Sequence, residues 1–412
     1  MVPEGWDVKP LADIAQVTSG GTPSRKKPEY WLNGTVPWIR TTEVQNCVLT
    51  PEDTQEYISE LGLKNSSAKI VPAGAVLLAM IGQGKTRGQV ALLKFEATTN
   101  QNCSAIIFKN DQEPTFHFNF LLSQYENIRA MSNSAGQSNL SGTLVKAIRV
   151  PVPPLTEQKK IAQILSTWDK AITTTEQLLA TGKQQKKALM QQLLTGKKRL
   201  LDKNGVRFSR EWKVSKLSKL FERVTTKNNG QSTNVVTISG QHGLIRQEDF
   251  FKKTVASETL DGYFLLKQGQ FAYNKSYSNG YPMGAIKRLN RYPDGVVTTL
   301  YICFELSDSD HADSDFWEHY FESGLLNQGL SQIAHEGGRA HGLLNVKPSD
   351  FFSLKVPIPS FEEQQKIATV LATADQEITG LQQKLNALKQ EKKALMQQLL
   401  TGKRRVKVEE AA

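Results

Sequence analysis

Cysteine is nearly absent from this chain. Cys47, Cys103 and Cys303 lie far apart, and no C-x-x-C pair occurs. Neither a disulfide framework nor a Cys-based zinc site is expected, and a reducing cytosol fits. Histidine is scarce too, six in 412 residues. His311 and His319 are too far apart for H-x-x-x-H, and His335 and His341 lack supporting ligands, so all are expected as loop or surface histidines. Long apolar runs are missing: the longest, Ala73 to Ile81, is too short to cross a bilayer. The opening MVPEGWDVKP has no apolar stretch of signal-peptide type. Enzymatic signatures are missing as well. GQGKT at Gly82 resembles the end of a phosphate-binding loop, but Ala79 stands where its first glycine belongs. Lys85 and Arg87 are then expected to face phosphate backbone. No Gly-rich methyl-donor loop or Asn-Pro-Pro-aromatic tetrad is present, and Asp313 and Asp315 read as solvated loop charges.

What is present is positive charge. Fifty-one Lys and Arg against 40 Asp and Glu give a formal charge of +11. That excess favours a polyanionic partner, a nucleic acid before an anionic membrane in a chain without a membrane segment. Thirty-nine per cent hydrophobic residues, with six Trp, ten Tyr and seventeen Phe, provide for ordinary globular cores.

The chain is also written twice. Residues 151–197 and 357–403 align without a gap at an offset of 206, with 28 of 47 positions identical and KKALMQQLLTGK shared outright. Trp6, Val8 and Leu11 align with Trp212, Val214 and Leu217 at the same offset. The interiors, about 19–140 and 225–345, show little resemblance. The order is variable, constant, variable, constant.

Each constant block predicts one helix of about 39 residues, about 58 Å long. The second carries a heptad seam of Ile367, Leu371, Ala374, Ile378, Leu381, Leu385, Leu388, Leu395 and Leu399, with Lys392 filling the gap. The first carries Ile161, Leu165, Trp168, Ile172, Leu179, Leu189 and Leu193, weakened by Thr175, Gly182 and Lys186. Ser360 with Glu363 predicts a capping box, whereas Pro154 replaces the serine in the first copy. Gly196 and Gly402 are expected just past the helix ends. The seams pair with each other inside the chain, antiparallel, or with those of a second copy. A third reading makes them core helices of one large domain.

The variable regions read as short strands, with candidates at Val76 to Met80, Ser104 to Phe108, Val235 to Ile238 and Tyr301 to Leu306, separated by polar loops. In the first region the loops are GGTPSRKKPEYW from Gly20, WIRTTEV from Trp38, GQGKTRGQ from Gly82 and GQSNLSG from Gly136. Candidate DNA contacts there are Thr22, Ser24, Arg25, Lys26, Arg40, Thr41, Gln83, Lys85, Thr86, Arg87, Gln137 and Asn139. In the second region the loops are TTKNNGQS from Thr225, SGQHGLIRQ from Ser239, NKSYSNGYPMG from Asn274 and HEGGRAHGLLNVK from His335. The candidates are Asn228, Gln241, His242, Arg246, Asn274, Lys275, Ser276, Tyr277, Asn279, Arg339, His341 and Asn345. Arg and Lys pair with guanine edges, Asn and Gln with adenine, and Ser, Thr and backbone N–H groups hold phosphates. The bland reading of any one such loop is that Gly, Asn and Ser make its turn. Eight of them on a basic chain favour DNA.

PVPPLTEQKKIA at Pro151 and PIPSFEEQQKIA at Pro357, each leading into a helix that ends LLTGK, resemble the specificity subunit of type I restriction–modification systems. GGTPS at Gly20 followed by VPWIRTTEV also resembles that family's target-recognition domains. The resemblance implies an α+β chain with two mixed α/β target-recognition domains, separated by two long antiparallel coiled-coil helices in a pseudo-twofold repeat. The expected division is recognition domain one at 1–150, conserved helix one at 151–200, recognition domain two at 201–356, conserved helix two at 357–403 and a charged tail at 404–412. It implies a bacterial or archaeal cytoplasmic protein in host defence. It also implies a chain that binds double-stranded DNA but no cofactor. Two methyltransferase subunits would carry S-adenosylmethionine, and two restriction subunits would use ATP and Mg²⁺. Each domain would read half of a bipartite, asymmetric target. The rival reading is a stand-alone DNA-binding scaffold or regulator without methylating partners.

Overall fold

The computed structural model describes residues 2–82, 84–134, 139–240, 242–251, 259–307, 310–334 and 344–408. Two 39-residue helices dominate it, Leu155–Leu193 and Phe361–Leu399. The chain divides into two compact units that follow helix pairing rather than chain order. Unit one holds residues 1–176 and 383–412, and unit two holds residues 177–382.

In unit one the start of the first long helix packs on the end of the second. Lys392 Nζ lies 2.5 Å from Asp169 Oδ1, and Lys389 Nζ 2.6 Å from Glu176 Oε1. Numbers rise along one helix as they fall along the other, so the pair is antiparallel. In unit two Gly182 faces Ile378, and Lys186 Nζ lies 2.6 Å from Asp375 Oδ1, again antiparallel. Every seam position is buried or half-buried, including Thr175 at 4% exposure. Thr175 fits because its hydroxyl donates to the Ala171 carbonyl at 2.8 Å, so no polar atom is stranded. The lysines that interrupt the two seams stand 206 residues apart, and so do the aspartates they meet. Each lysine in the apolar pattern is therefore one half of an ion pair with the other helix.

The repeated P-x-P-x-x-x-E-Q motif, Pro151 to Gln158 and Pro357 to Gln364, ties each helix start to its globular domain. Strand Asp7–Pro10 pairs antiparallel with Arg149–Val152, Val8 opposite Pro151. Strand Lys213–Lys216 pairs with Lys355–Ile358, Val214 opposite Pro357, the same register 206 residues on. The motif's glutamate then collects two donors. Glu157 accepts from Trp6 Nε1 at 3.3 Å and from the Arg405 guanidinium. Glu363 accepts from Trp212 Nε1 at 3.0 Å and from Arg199 at 2.6 and 2.8 Å. The arginine in each case follows the end of the other long helix. The glutamines receive and return bonds. Gln158 Oε1 accepts from the Glu113 N–H, and its amide donates to the Pro153 carbonyl. Gln364 Oε1 accepts from the Asp313 N–H, and its amide donates to the Pro359 carbonyl.

The capping-box expectation is therefore corrected. Ser360 Oγ does accept from the Glu363 N–H at 3.4 Å. The Glu363 carboxylate, however, turns to Arg199 and Trp212 rather than back to the serine, because two charge-assisted or indole donors outbid one backbone N–H. Both helices close on glycine as expected. Gly196 (φ 70°) sits against Trp212, and Gly402 (φ 72°) against Pro3 and Trp6. The Gly196 N–H donates to the Leu193 carbonyl at 3.2 Å and the Gly402 N–H to the Leu399 carbonyl at 3.3 Å, the shorter bond of a Schellman ending.

Beneath dissimilar sequences the two domains share a strand order. In unit one Ala15–Ser19, Cys103–Phe108, Val76–Ala79 and Val90–Leu93 lie side by side and antiparallel, with Cys47–Leu49 added in parallel. In unit two the order is Phe221–Val224, Ile302–Leu306, Phe271–Asn274 and Ala285–Arg288, all antiparallel. The predicted strands thus form, displaced by at most a residue or two at their ends. One face of each sheet meets the long helices. Leu11, Val76, Ile106 and Phe116 join Ile161, Leu165 and Leu399 in unit one, and Phe271, Phe304 and Trp317 join Leu193, Ile367 and Leu371 in unit two. The other face covers a smaller core, around Leu77 and Ala91 in one domain and Ala272 and Val297 in the other.

Two further expectations change. Asp313 is no loop charge: its carboxylate caps helix Ser314–Glu322 by accepting from the Phe316 N–H at 2.8 Å, and Asp315 pairs with Arg288. His319, expected at the surface, is mostly buried on that helix, with Nδ1 3.9 Å from Asp375 Oδ2. Burial, aided by Lys186, pushes its pKa down. Among the described residues no His, Cys, Asp and Glu gather as metal ligands, and no helix is long and apolar enough to cross a membrane.

Candidate nucleic-acid interface

The first cluster of candidate contacts in unit one is built on two glycines. A Cβ at Gly20 would run into the Thr99 and Asn100 carbonyls, and one at Gly21 into Ser67. Without side chains the loop packs close against both segments, and the Gly21 N–H donates to the Thr99 carbonyl at 2.8 Å. Trp38 Nε1 donates to Gly21 O at 2.9 Å, and Trp31 Nε1 to Ser24 O at 3.2 Å. Thr22 hydrogen-bonds Gln101. The structure thereby brings Thr22, Ser24, Arg25 and Lys26 beside Arg40 and Thr41, which follow strand Val36–Ile39.

The two arginines of this cluster share one carboxylate. Arg25 Nη2 lies 2.5 Å from Glu56 Oε2, and Arg40 Nη1 2.7 Å from Glu56 Oε1. Arg40 also donates to Glu43 Oε1 through Nε and Nη2, and to Gln55 Oε1 at 2.6 Å. The hydrogen bond to Glu43 pushes the Arg40 pKa up further, so both fork and charge are fixed. The Arg25 guanidinium lies 3.5 Å above the centre of the Trp31 ring, a cation–π stack. Glu43, Gln55, Glu56 and Trp31 are absent from the sequence-based candidates. Acids are poor DNA ligands, and no local spacing joins Glu56 to Arg25.

A second cluster holds Lys85, Thr86, Arg87 and Asn139. The Leu140 N–H donates to Met80 O at 2.9 Å, bringing the segment after 138 to the start of the 82–88 turn. Tyr125 Oη donates to Lys85 O at 2.6 Å. Lys85 and Asn139 are exposed and Thr86 half-buried, but Arg87 is buried. Gln83 and Gln137 lie outside the described residues.

In unit two the organising residue is Tyr281. Its hydroxyl accepts from Lys287 Nζ at 2.9 Å and lies 2.5 Å from Glu322 Oε1 and 2.8 Å from Gly240 O. Burial, then Glu322, holds that phenol well above its ordinary pKa, so it stays protonated. Tyr281 thus ties the turn after strand Val236–Ser239 to the 274–284 loop, and a groove of about 460 Å³ runs between them past His242, Phe250 and Asn279. The Leu344 N–H donates to Lys275 O at 2.9 Å and draws Asn345 in. The 274–284 loop, carrying Asn274, Lys275, Ser276, Tyr277 and Asn279, thus meets His242 near Asn279 and the Asn345 segment at Lys275, with Tyr277 and Asn279 exposed. Lys275 is half-buried, and burial, then Arg223, pushes its pKa down.

Two candidates stand apart. Asn228 is buried and spends both ends of its amide on the Ser232 backbone at 2.9 Å, closing its own turn. Arg246 is exposed, its guanidinium 5.5 Å over Tyr292 at the far end of the hairpin from His242. Gln241, Arg339 and His341 lie outside the described residues.

Comparison with known proteins gives this arrangement a family. The chain matches the type I restriction modification DNA specificity domain over residues 3–181 and again over 209–390. A putative type I restriction enzyme MjaX specificity subunit of Methanocaldococcus jannaschii is 24% identical across 98% of this chain and 95% of its own length. The MjaIX specificity subunit of the same organism is 33% identical, across 42% of this chain and 39% of its own length. The EcoR124I/EcoR124II specificity subunit of Escherichia coli is 29% identical across 39% of this chain and 40% of its own length. The chain thus spans about two fifths of each of those last two relatives. The crystal structure of a type I restriction–modification S subunit from M. genitalium superposes with a TM-score of 0.57 at 13% identity, covering 97% of this chain and 96% of that one. The HsdS subunit of Thermoanaerobacter tengcongensis gives 0.52 at 16% identity, covering 97% and 98%. With the domain matched twice on one repeated frame, the chain belongs to the type I restriction–modification specificity-subunit family.

Proposed function

We propose that this chain is the DNA-reading, non-catalytic subunit of a type I restriction–modification complex. Each recognition domain reads one half of a bipartite, asymmetric site in double-stranded DNA. The paired helices set the unspecified spacer, about 5 to 8 base pairs if the half-sites lie about one helical turn apart. The same helices dock two methyltransferase subunits, which bind S-adenosylmethionine and methylate adenine N6 in each half-site after flipping the base. Two restriction subunits add cleavage that depends on ATP and Mg²⁺.

One observation carries the reading: two unlike loop clusters stand on two copies of one frame. A repeated frame with identical loops would suit a symmetric site. Unlike loops on equivalent strands suit an asymmetric site approached by two identical partners. The loops hold arginine, lysine, asparagine and serine, the groups that contact base edges and phosphates. The chain's +11 charge supplies the attraction that such binding requires.

The test is isolation of the tagged chain from its own cells. Methyltransferase subunits are expected to co-purify, and the chain alone is expected to bind duplex DNA without cutting it in Mg²⁺. Cutting by the isolated chain, or isolation without methyltransferase subunits, contradicts the proposal.

A further inference from the structure

The two arginines of the unit-one cluster are not equivalent. Arg40 has four hydrogen bonds to protein acceptors, on Glu43, Glu56 and Gln55. That uses most of the five N–H groups of a guanidinium, and its side chain is only 31% exposed. Arg25 is 52% exposed and makes one such contact, to Glu56, among the described residues. Its plane is fixed from below by Trp31 and from one edge by Glu56, whose other oxygen is held by Arg40. A long flexible side chain in solvent normally loses rotamer entropy when it binds. Here that loss is already incurred, and donors remain on a fork of known orientation.

We propose that Arg25 reads a base edge, a guanine in the major groove, and that Glu56 is the positioning residue that aims it. Arg40 holds Glu56 and takes no part in reading. The division rests on the chain binding DNA as proposed above. It separates the arginine-rich loop into a reader and its support. A phosphate-contacting arginine needs no such fixture, because charge alone serves a phosphate from many directions. Bidentate pairing to guanine O6 and N7 requires the fork to arrive in plane. Glu56 is a carboxylate close to the path of a polyanion. Its electrostatic effect on binding is unfavourable, and its geometric effect is favourable only if Arg25 must be aimed.

Those two effects have opposite signs, so one variant separates them. The full-length chain is incubated with a pool of randomised DNA duplexes, and bound molecules are sequenced for wild type, Glu56→Gln and Arg25→Lys. Wild type is expected to select a bipartite motif with an invariant G·C pair in one half. Arg25→Lys keeps the charge and loses the planar fork. It is expected to lose about tenfold discrimination at that pair, with an unchanged salt slope. Glu56→Gln is expected to lose discrimination at the same pair while binding to unselected duplex stays equal or tightens. Retention of that discrimination by Arg25→Lys overturns the inference, as does a Glu56→Gln loss spread over both half-sites. Should Glu56→Gln fail to fold, the exposed Arg25→Lys substitution decides alone. A wild-type chain that selects no motif defeats the proposed function itself, and this inference with it.

Discussion

His117 shows what one buried titratable group does to this protein. It lies on helix Pro114–Ser123, stacked on Phe108 with 4.5 Å between ring centres, its Nε2 2.9 Å from Gln112 Oε1. Burial holds its pKa near 3, against 6.5 for a free histidine. Below about pH 6.5 the unfolded chain accepts a proton that the folded domain refuses. The contribution is therefore complete above that pH and declines as pH falls toward 3, on the order of 1.4 kcal/mol per unit. Urea midpoints at about pH 7.5 and about pH 5 should differ more in wild type than in His117→Gln. Equal pH dependence in the two proteins would refute the assignment. Single residues were the least legible part of the sequence. Trp6, Glu157 and Arg405 recur as Trp212, Glu363 and Arg199, yet the repeat does not say that they meet, because each contact closes over 150 residues or more. Glu56 carried no signal, since its partners Arg25 and Arg40 lie in other loops.

The long helices were legible because a heptad pattern is local and each turn repeats the same demand for burial. The expected length of about 39 residues matches both helices, and the closing glycines stand just past their ends. The interruptions were harder to read. Lys186 and Lys392 look like flaws in an apolar seam, but each meets an aspartate across the antiparallel pair. Both lysines are mostly buried while both aspartates are about half exposed, so each pair is a modest attraction that also fixes register. Asp375→Lys should lower the melting temperature by setting two cations together. Adding Lys186→Asp should restore most of it, with a coupling of about 1 kcal/mol in the double-mutant cycle. Strictly additive effects would show that the pair does not set register.

At the scale of the whole chain, the repeat announced two frames but not two matching domains. The interiors share few residues, yet the same four strands recur in the same order. Burial constrains only alternate positions of a strand, and many apolar sets satisfy it. The loops carry no such constraint, which is why they diverge and why the sequence could nominate contacts without ranking them. The frame's equivalence is concrete: Val8 opposes Pro151 as Val214 opposes Pro357. Residues 213–356 can therefore be replaced by a second copy of 7–150 without altering either junction. Sequencing of methylated adenines in cells carrying that chimera with type I methyltransferase partners is the most direct test. Wild type should mark a bipartite motif with unlike halves, and the chimera a motif whose halves are inverted copies of the first. An unchanged motif, or one with no second half, would contradict the claim that two dissimilar readers share one frame.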